Sequence, residues 1–164
     1  MSDRADAGAG HSEDATRVKY VAQVAAYWER GGLTYAAGLI LGHLMVCEPA
    51  DQTQADIAEA LDLSAGSVST QLRQLEAIGM IERFRAPGQR AARYHLPQDM
   101  WLKILNTERD RIAGLRTLAD AGRAVAPTER PDRIGSLDKM VSFWESEWPE
   151  TERRIQEFLR KERS

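Results

Sequence analysis

Residues 53–96 read TQADIAEALDLSAGSVSTQLRQLEAIGMIERFRAPGQRAARYHL. Thr53 offers an N-cap oxygen and Asp56 follows three residues later, the spacing of a capping box, which predicts a short helix over 54–61. Asp62-Leu63-Ser64 is a turn, after which Ser64 caps a second helix over 65–78 that Gly79 ends. Two β-prone segments, 80–85 and 93–96, then flank a turn containing Pro87-Gly88, which predicts a hairpin. Short helix, tight turn, second helix and hairpin make a helix-turn-helix followed by a two-stranded wing.

In such a motif the second helix buries one face and offers the other to a major groove. At about 100° per residue from Val68, Leu72 falls near 40° and Leu75 near −20°, which defines the inward face. Opposite stand Gly66, Ser67, Ser69, Thr70, Arg73, Gln74 and Ala77, with Glu76 at the margin. Hydroxyl, amide and guanidinium groups can bond base edges or phosphates, and the small residues permit close approach. Arg83, Arg85, Arg90 and Arg93 lie on and around the hairpin tip. The residues expected to contact DNA are Ser64, Ser67, Ser69, Thr70, Arg73, Gln74, Arg85, Arg90 and Arg93. Arginines on an exposed hairpin can also serve only to keep a strand edge soluble, but their order behind a helix-turn-helix favours nucleic acid.

Upstream, Val18, Val21, Ala25 and Trp28 form one apolar helical stripe that Gly31-Gly32 ends. The segment from Thr34 to Cys47 is apolar on nearly every side, which predicts the most buried helix, stopped by Glu48-Pro49. Gly38 and Gly42, four apart, allow another helix to come close. Downstream, apolar residues from Met100 to Leu118 predict a helix over about 98–120, and 122–133 is a loop. A last helical region carries Leu137, Met140, Val141, Trp144 and Trp148, then Ile155, Phe158 and Leu159, with Pro149 expected to kink or break it. The fold class is mainly α: a winged helix-turn-helix with N- and C-terminal dimerisation helices. Its expected divisions are a disordered tail (1–13), an N-terminal dimerisation helix (14–32), a winged helix-turn-helix DNA-binding domain (33–97) and a C-terminal helical dimerisation region (98–164).

The whole chain of 164 residues carries a net charge of −3, which alone argues against a polyanion partner. The distribution argues otherwise. Residues 1–63 hold 4 basic and 10 acidic groups, residues 64–96 hold 5 and 2, and residues 97–164 hold 13 of each. The only positive stretch is the one containing the second helix and the wing, and a duplex feels the field within a Debye length of about 8–10 Å. No apolar run approaches the roughly 20 residues of a membrane span, and the acidic N-terminus is unlike a secretory signal, so a cytoplasmic protein is expected. One cysteine, Cys47, excludes an internal disulfide.

The run GLTYAAGLILGHLMVCEPADQTQADIAEALDLSAGSVSTQLRQLEAIGMIERFRAPGQRAARYHL (32–96) resembles the GbsR-type branch of the MarR winged-helix transcriptional regulators. The resemblance covers about 65 residues: a glycine-led buried helix, the recognition segment LSAGSVSTQLRQLEAIGMI and the wing APGQRAARY. It implies a homodimeric regulator, read as a repressor, on a pseudo-palindromic operator, with Ser67, Ser69, Thr70 and Arg73 as recognition-helix contacts and Arg90 at the wing tip. In this wing Gly88-Gln89-Arg90 replaces the Asp-x-Arg tip of many relatives. Dimerisation is also expected on physical grounds, because the N-terminal stripe and the 137–148 stripe exceed what a small winged helix can cover.

Four tryptophans lie outside the winged helix. Some members of the resembled family are linked to choline and glycine betaine, so Trp28, Trp101 and Trp144 are candidates for an effector pocket holding a quaternary ammonium or aromatic molecule. Large aromatics at helical spacing otherwise fill a dimer core. Cys47 beside Glu48 reads as a small buried hydrophobe rather than a redox sensor. His11, His43 and His95 have no partner at metal-ligand spacing; His43 is expected in the core or an interface, and His95 within reach of phosphate. No nucleophile–base pair or phosphate loop indicates an enzyme, and neither cofactor nor metal is expected. The competing reading is a winged helix used as a protein-interaction module, its arginines facing an acidic partner.

Overall fold

A computed structural model describes residues 6–161 of the chain, with side chains from Asp14 onward. Contacts divide it into two compact units, Met1–Trp101 and Leu102–Ser164. The elements are α1 (Asp6–Arg30), α2 (Tyr35–Val46), β1 (Gln52–Thr53), α3 (Gln54–Leu61), α4 (Ala65–Ala77), β2 (Glu82–Phe84), β3 (Arg93–His95), α5 (Met100–Arg123) and α6 (Asp132–Lys161). Of the expected disordered tail, residues 1–5 lie outside the described ones. The remainder is a correction: α1 is already helical from Asp6. Alanine, present at Ala7 and Ala9, is the strongest helix former.

In the first unit α1 packs on α2 through the two glycines. A Cβ on Gly42 would stand 3.0 Å from the Val21 Cα, and Gly38 faces Ala25 in the same way. Val21 and Ala25 are therefore buried by the chain's own second helix. That differs from the expectation that the whole stripe is left for a partner, since only its ends stay open: Val18 is 69% exposed and Trp28 is half-buried. Thr34 caps α2, its side chain accepting from the Ala37 amide at 3.1 Å. Beneath lies a core of Ile40, Leu41, Ile57, Val68, Leu72, Leu75 and Ile81, each nearly inaccessible. Burying one such side chain contributes roughly 1.5–3 kcal/mol.

The sheet has three strands rather than the two of the expected hairpin, in the antiparallel order β1-β3-β2. Gln52 and Thr53 pair with Tyr94 and Arg93. A two-residue strand directly before a helix has no alternation to betray it.

In the second unit α5 and α6 meet around Ala119 and Val141, both fully buried. At one end Gly122 faces Ile134, whose Cδ1 would lie 3.1 Å from an added Cβ. Arg116 ties the two helices, reaching Asp138 at 2.6 Å, Glu145 at 2.6 Å and Ser142 at 2.9 Å. Arg123 also contacts Asp138. Of the kink or break expected at Pro149, the break is absent: α6 runs unbroken through it. Proline removes one backbone hydrogen bond there, and Arg153 spans the following turn to Glu150 and Glu157, both at 2.5 Å. Among the described residues no helix is long and apolar enough to cross a membrane.

Candidate nucleic-acid interface

The caps read from sequence set the position of α4. The Ser64 side chain accepts from the Ser67 amide at 3.2 Å. At the other end the Gly79 amide bonds the Glu76 carbonyl at 3.0 Å and the Met80 amide bonds the Leu75 carbonyl at 3.0 Å. With Gly79 at φ +73° this is a Schellman closure. Ahead of it α3 has the complete Thr53–Asp56 capping box, and the Thr53 amide holds the Asp56 carboxyl below its ordinary range. Gln54 Nε2 donates to the Ala65 carbonyl at 2.9 Å, joining the starts of α3 and α4.

Val68, Leu72 and Leu75 are buried, while Gly66, Thr70, Arg73, Gln74 and Ala77 are exposed and Ser67 and Ser69 are half-buried. The Thr70 hydroxyl donates to the Gly66 carbonyl at 3.0 Å, so its oxygen faces outward as an acceptor. Arg73 Nε donates to the Ser69 carbonyl at 3.3 Å, which braces the side chain and leaves its two terminal nitrogens to reach outward. Ser64 is spent largely as a cap.

The wing turns at Ala86–Gln89, where the Gln89 amide bonds the Ala86 carbonyl at 3.1 Å and Gly88 has φ +79°. Proline then glycine at the two central positions is the pattern of a type II turn. Arg85 and Arg90 are exposed on either side of it. Arg93, also among the expected contacts, is engaged within the wing. It is half-buried, with Nη1 donating to the Asp51 carbonyl at 2.9 Å and Nε to Gln89 Oε1 at 3.0 Å. It braces the wing because β1, absent from the sequence reading, brings Asp51 within its reach.

The structure adds Arg83. A cleft of about 410 Å³ is lined by Thr53, Gln54, Ala65, Arg83, Arg85 and Tyr94 among others, so it runs from the starts of α3 and α4 to the outer strand of the wing. Arg83 in β2 and Arg85 just past its end share its wall. The two-residue spacing of Arg83 and Arg85 is the signal the sequence offers for it. His95, expected within reach of phosphate, lies between the Asp51 and Glu82 carboxylates.

The aromatic candidates fall into two groups. In the first unit Trp28 and Trp101 stack with centroids 6.5 Å apart and planes at 19°, and Tyr27 meets Trp28 edge-on at 5.2 Å. In the second, Trp144 leans on Trp148 at 5.9 Å. The cavity beside that pair is only about 50 Å³ and almost wholly apolar, far below the roughly 300 Å³ at which ligand pockets begin. Cys47 is buried and burial pushes its thiol up, away from the reactive thiolate. His43 is half-buried with Nε2 enclosed, and burial holds it toward the neutral form.

Residues 31–92 match the family profile described as MarR family. Over 135 residues the chain is 36% identical to the HTH-type transcriptional regulator MmpR5 of Mycobacterium tuberculosis (strain ATCC 25618 / H37Rv), spanning 79% of this chain and 80% of that protein. The chain belongs to the MarR family. As a MarR-family winged-helix transcriptional regulator it also resembles a solved structure described as a transcriptional regulator. That likeness has a TM-score of 0.73 and 30% identity and covers 87% of this chain and 99% of the other. The MmpR5 match speaks for the MarR family as a whole and leaves the GbsR-type branch to one side.

Proposed function

We propose that this MarR-family regulator binds double-stranded DNA as a homodimer, each copy laying α4 in a major groove with its wing alongside. Half-sites of the pseudo-palindromic operator would then lie about 34–36 Å apart. The observation that carries this reading is the outward face of α4. Thr70, Arg73 and Gln74 are exposed directly opposite buried Val68, Leu72 and Leu75, with Arg83, Arg85 and Arg90 exposed on the neighbouring wing. Arg73 is suited to a guanine edge through its two terminal nitrogens, and the Thr70 oxygen to an amino group of cytosine or adenine. Arg85, Arg90 and the cleft arginine Arg83 are suited to phosphates. Ser67, Ser69 and Gln74 complete the groove contacts, and Ser64 and Arg93 hold the surface in shape.

A second copy of the chain is the natural cover for the apolar side chains left open on α6, where Met140, Phe143 and Phe158 are each more than half exposed. The chain divides functionally into the DNA-binding domain 33–97 and dimerisation segments 14–32 and 98–164. Blocking a promoter makes it a repressor. The cavity at Trp144 is too small for such a molecule, so an aromatic or quaternary ammonium effector, in keeping with the GbsR-type branch, would be sought at the stacked Trp28–Trp101 pair.

The test is selection of bound duplexes from a random pool, followed by anisotropy titration across salt. A pseudo-palindromic consensus and an affinity falling log-linearly with salt, at a slope near −0.9 per phosphate contacted, support the reading. No enrichment and no duplex binding reject it in favour of a protein-interaction module. A chain ended before residue 133 should become monomeric or insoluble, and a soluble dimeric truncation overturns the dimer assignment. Tryptophan fluorescence titrated with choline tests the effector, and an unchanged signal removes it.

A further inference from the structure

We infer that Gln71 is a positioning residue for the reading face of α4: its hydrogen bond with Thr34 fixes how far the helix is rolled against α2, and so where Thr70 and Arg73 aim. The inference rests on the DNA-binding reading above and deepens it, naming a group that acts on the duplex through other residues. The Thr34 hydroxyl donates to Gln71 Oε1 at 2.6 Å, across 37 positions of sequence. Gln71 stands outside the expected contact set. At about 100° per residue it lies about 60° from Val68 and about 160° from Arg73, on the flank of α4 that meets the start of α2.

Thr34 is a fixed anchor. Before it, the Leu33 amide bonds the Trp28 carbonyl at 3.1 Å and the Gly32 amide bonds the Glu29 carbonyl at 3.0 Å, a Schellman closure of α1 with Gly32 at φ +98°. After it α2 begins, and the Ala37 amide donates to Thr34 Oγ1 at 3.1 Å. A hydroxyl has one proton and two lone pairs, so it accepts from Ala37 and donates to Gln71 without conflict. The two bonds together hold it in one orientation. Because Gly38 and Gly42 lock α2 onto α1, Thr34 carries the position of that helix pair to α4.

The other supports of α4 leave its roll open. Val68, Leu72 and Leu75 are buried, but apolar packing is non-directional. The bond from Gln54 to the Ala65 carbonyl has direction, yet it acts at the first residue of the helix. Gln71 lies six residues further on, about 9 Å along the axis, and adds the second point that sets roll and tilt. Thr70 and Arg73 are each tied to a carbonyl of α4 itself, at Gly66 and Ser69, so both move with the helix as one body. On a helix of about 5–6 Å outer radius, a roll of about 10° shifts a side-chain tip by about 1 Å. A hydrogen bond to a base edge weakens over such a distance. Thr34 is exposed and Gln71 half-buried, so water competes for the bond and its loss shows in aim more than in stability.

Gln71→Met keeps chain length and helix propensity and leaves the cap on α2 intact. It should bind the selected duplex about three- to tenfold more weakly, with relaxed base preference, an unchanged salt slope and a urea midpoint close to wild type. Thr34→Ser, which keeps the hydroxyl, should bind as wild type does. In a Thr34→Val background, Gln71→Met should cost less than about twofold further. In the free protein, Gln71→Met should move the amide resonances of residues 34–37. Wild-type affinity and base preference in Gln71→Met overturn the inference. Equal losses in both backgrounds also overturn it, and make Gln71 a direct contact. Resonances of 34–37 that respond to Gln71→Met while the wild-type protein binds no duplex keep the Thr34–Gln71 tie and instead reject the DNA-binding reading.

Discussion

Gly38 sits against Ala25 so closely that a Cβ on the glycine would stand 2.6 Å from the Ala25 Cα and 2.9 Å from its carbonyl oxygen. Backbone cannot yield as a flexible side chain can. Gly38→Ala should therefore pry α1 from α2 and cost about 1–3 kcal/mol, as overpacking a tight contact does. Gly66, with open space around it, is the contrast: Gly66→Ala should raise stability by roughly 0.5–1 kcal/mol through helix propensity. Urea unfolding of the two variants checks both signs.

Arg73→Ala should weaken binding to the selected duplex by roughly 1–3 kcal/mol and relax base preference at one position of each half-site. Binding to wild-type and single-mismatch duplexes, compared side by side, measures it. Equal losses on every duplex would mean that Arg73 holds backbone rather than reading a base.

Arg90 and Arg93 should separate by salt dependence. Losing a phosphate contact at Arg90 reduces the salt slope by about one per copy. Arg93→Ala should lower affinity with the slope unchanged, because it removes the Asp51 and Gln89 hydrogen bonds that shape the wing. A slope that falls equally in both variants would return Arg93 to the contact surface.

The α5–α6 unit should be acid-labile. Hydrogen bonds from Arg116, then Arg123, hold the Asp138 carboxyl below its ordinary 3.8, and Arg116 holds Glu145 below its ordinary 4.5. Groups with depressed folded values stabilise fully above their unfolded values and lose that contribution as pH falls through the folded ones. Far-ultraviolet circular dichroism should thus show helix persisting to pH values under about 4 and then declining. Arg116→Met should move the decline to higher pH.

Cys47 should react slowly with a thiol reagent at about pH 8 in the native protein and quickly in urea, since it is buried and its thiol is pushed up. Fast native labelling would restore the redox-sensor reading.

Much of the interface was legible because its signals are local. Ser64 and Gly79 bracket α4, Thr53 and Asp56 open α3, and Pro87-Gly88 marks the wing turn, each acting within a few residues of itself. The outward face of α4 follows from helical geometry once Val68, Leu72 and Leu75 are taken as buried. What escaped depends on residues far apart in the chain. The pairing of Gln52 with Tyr94 created β1, turned Arg93 inward and set Asp51 beside His95. At Pro149 the helix continues rather than breaks, and Arg153 ties the following turn to Glu150 and Glu157. The start of α1 shows the opposite case, in which low hydrophobicity was read as disorder while alanine propensity sufficed for helix.

The brevity of the sheet has a further consequence for handling the protein. Its two edge strands span only Gln52–Thr53 and Glu82–Phe84, and the longer one carries adjacent charges of opposite sign. A template that short and that charged recruits foreign strands poorly, so concentrated stocks should resist fibril seeding through the wing.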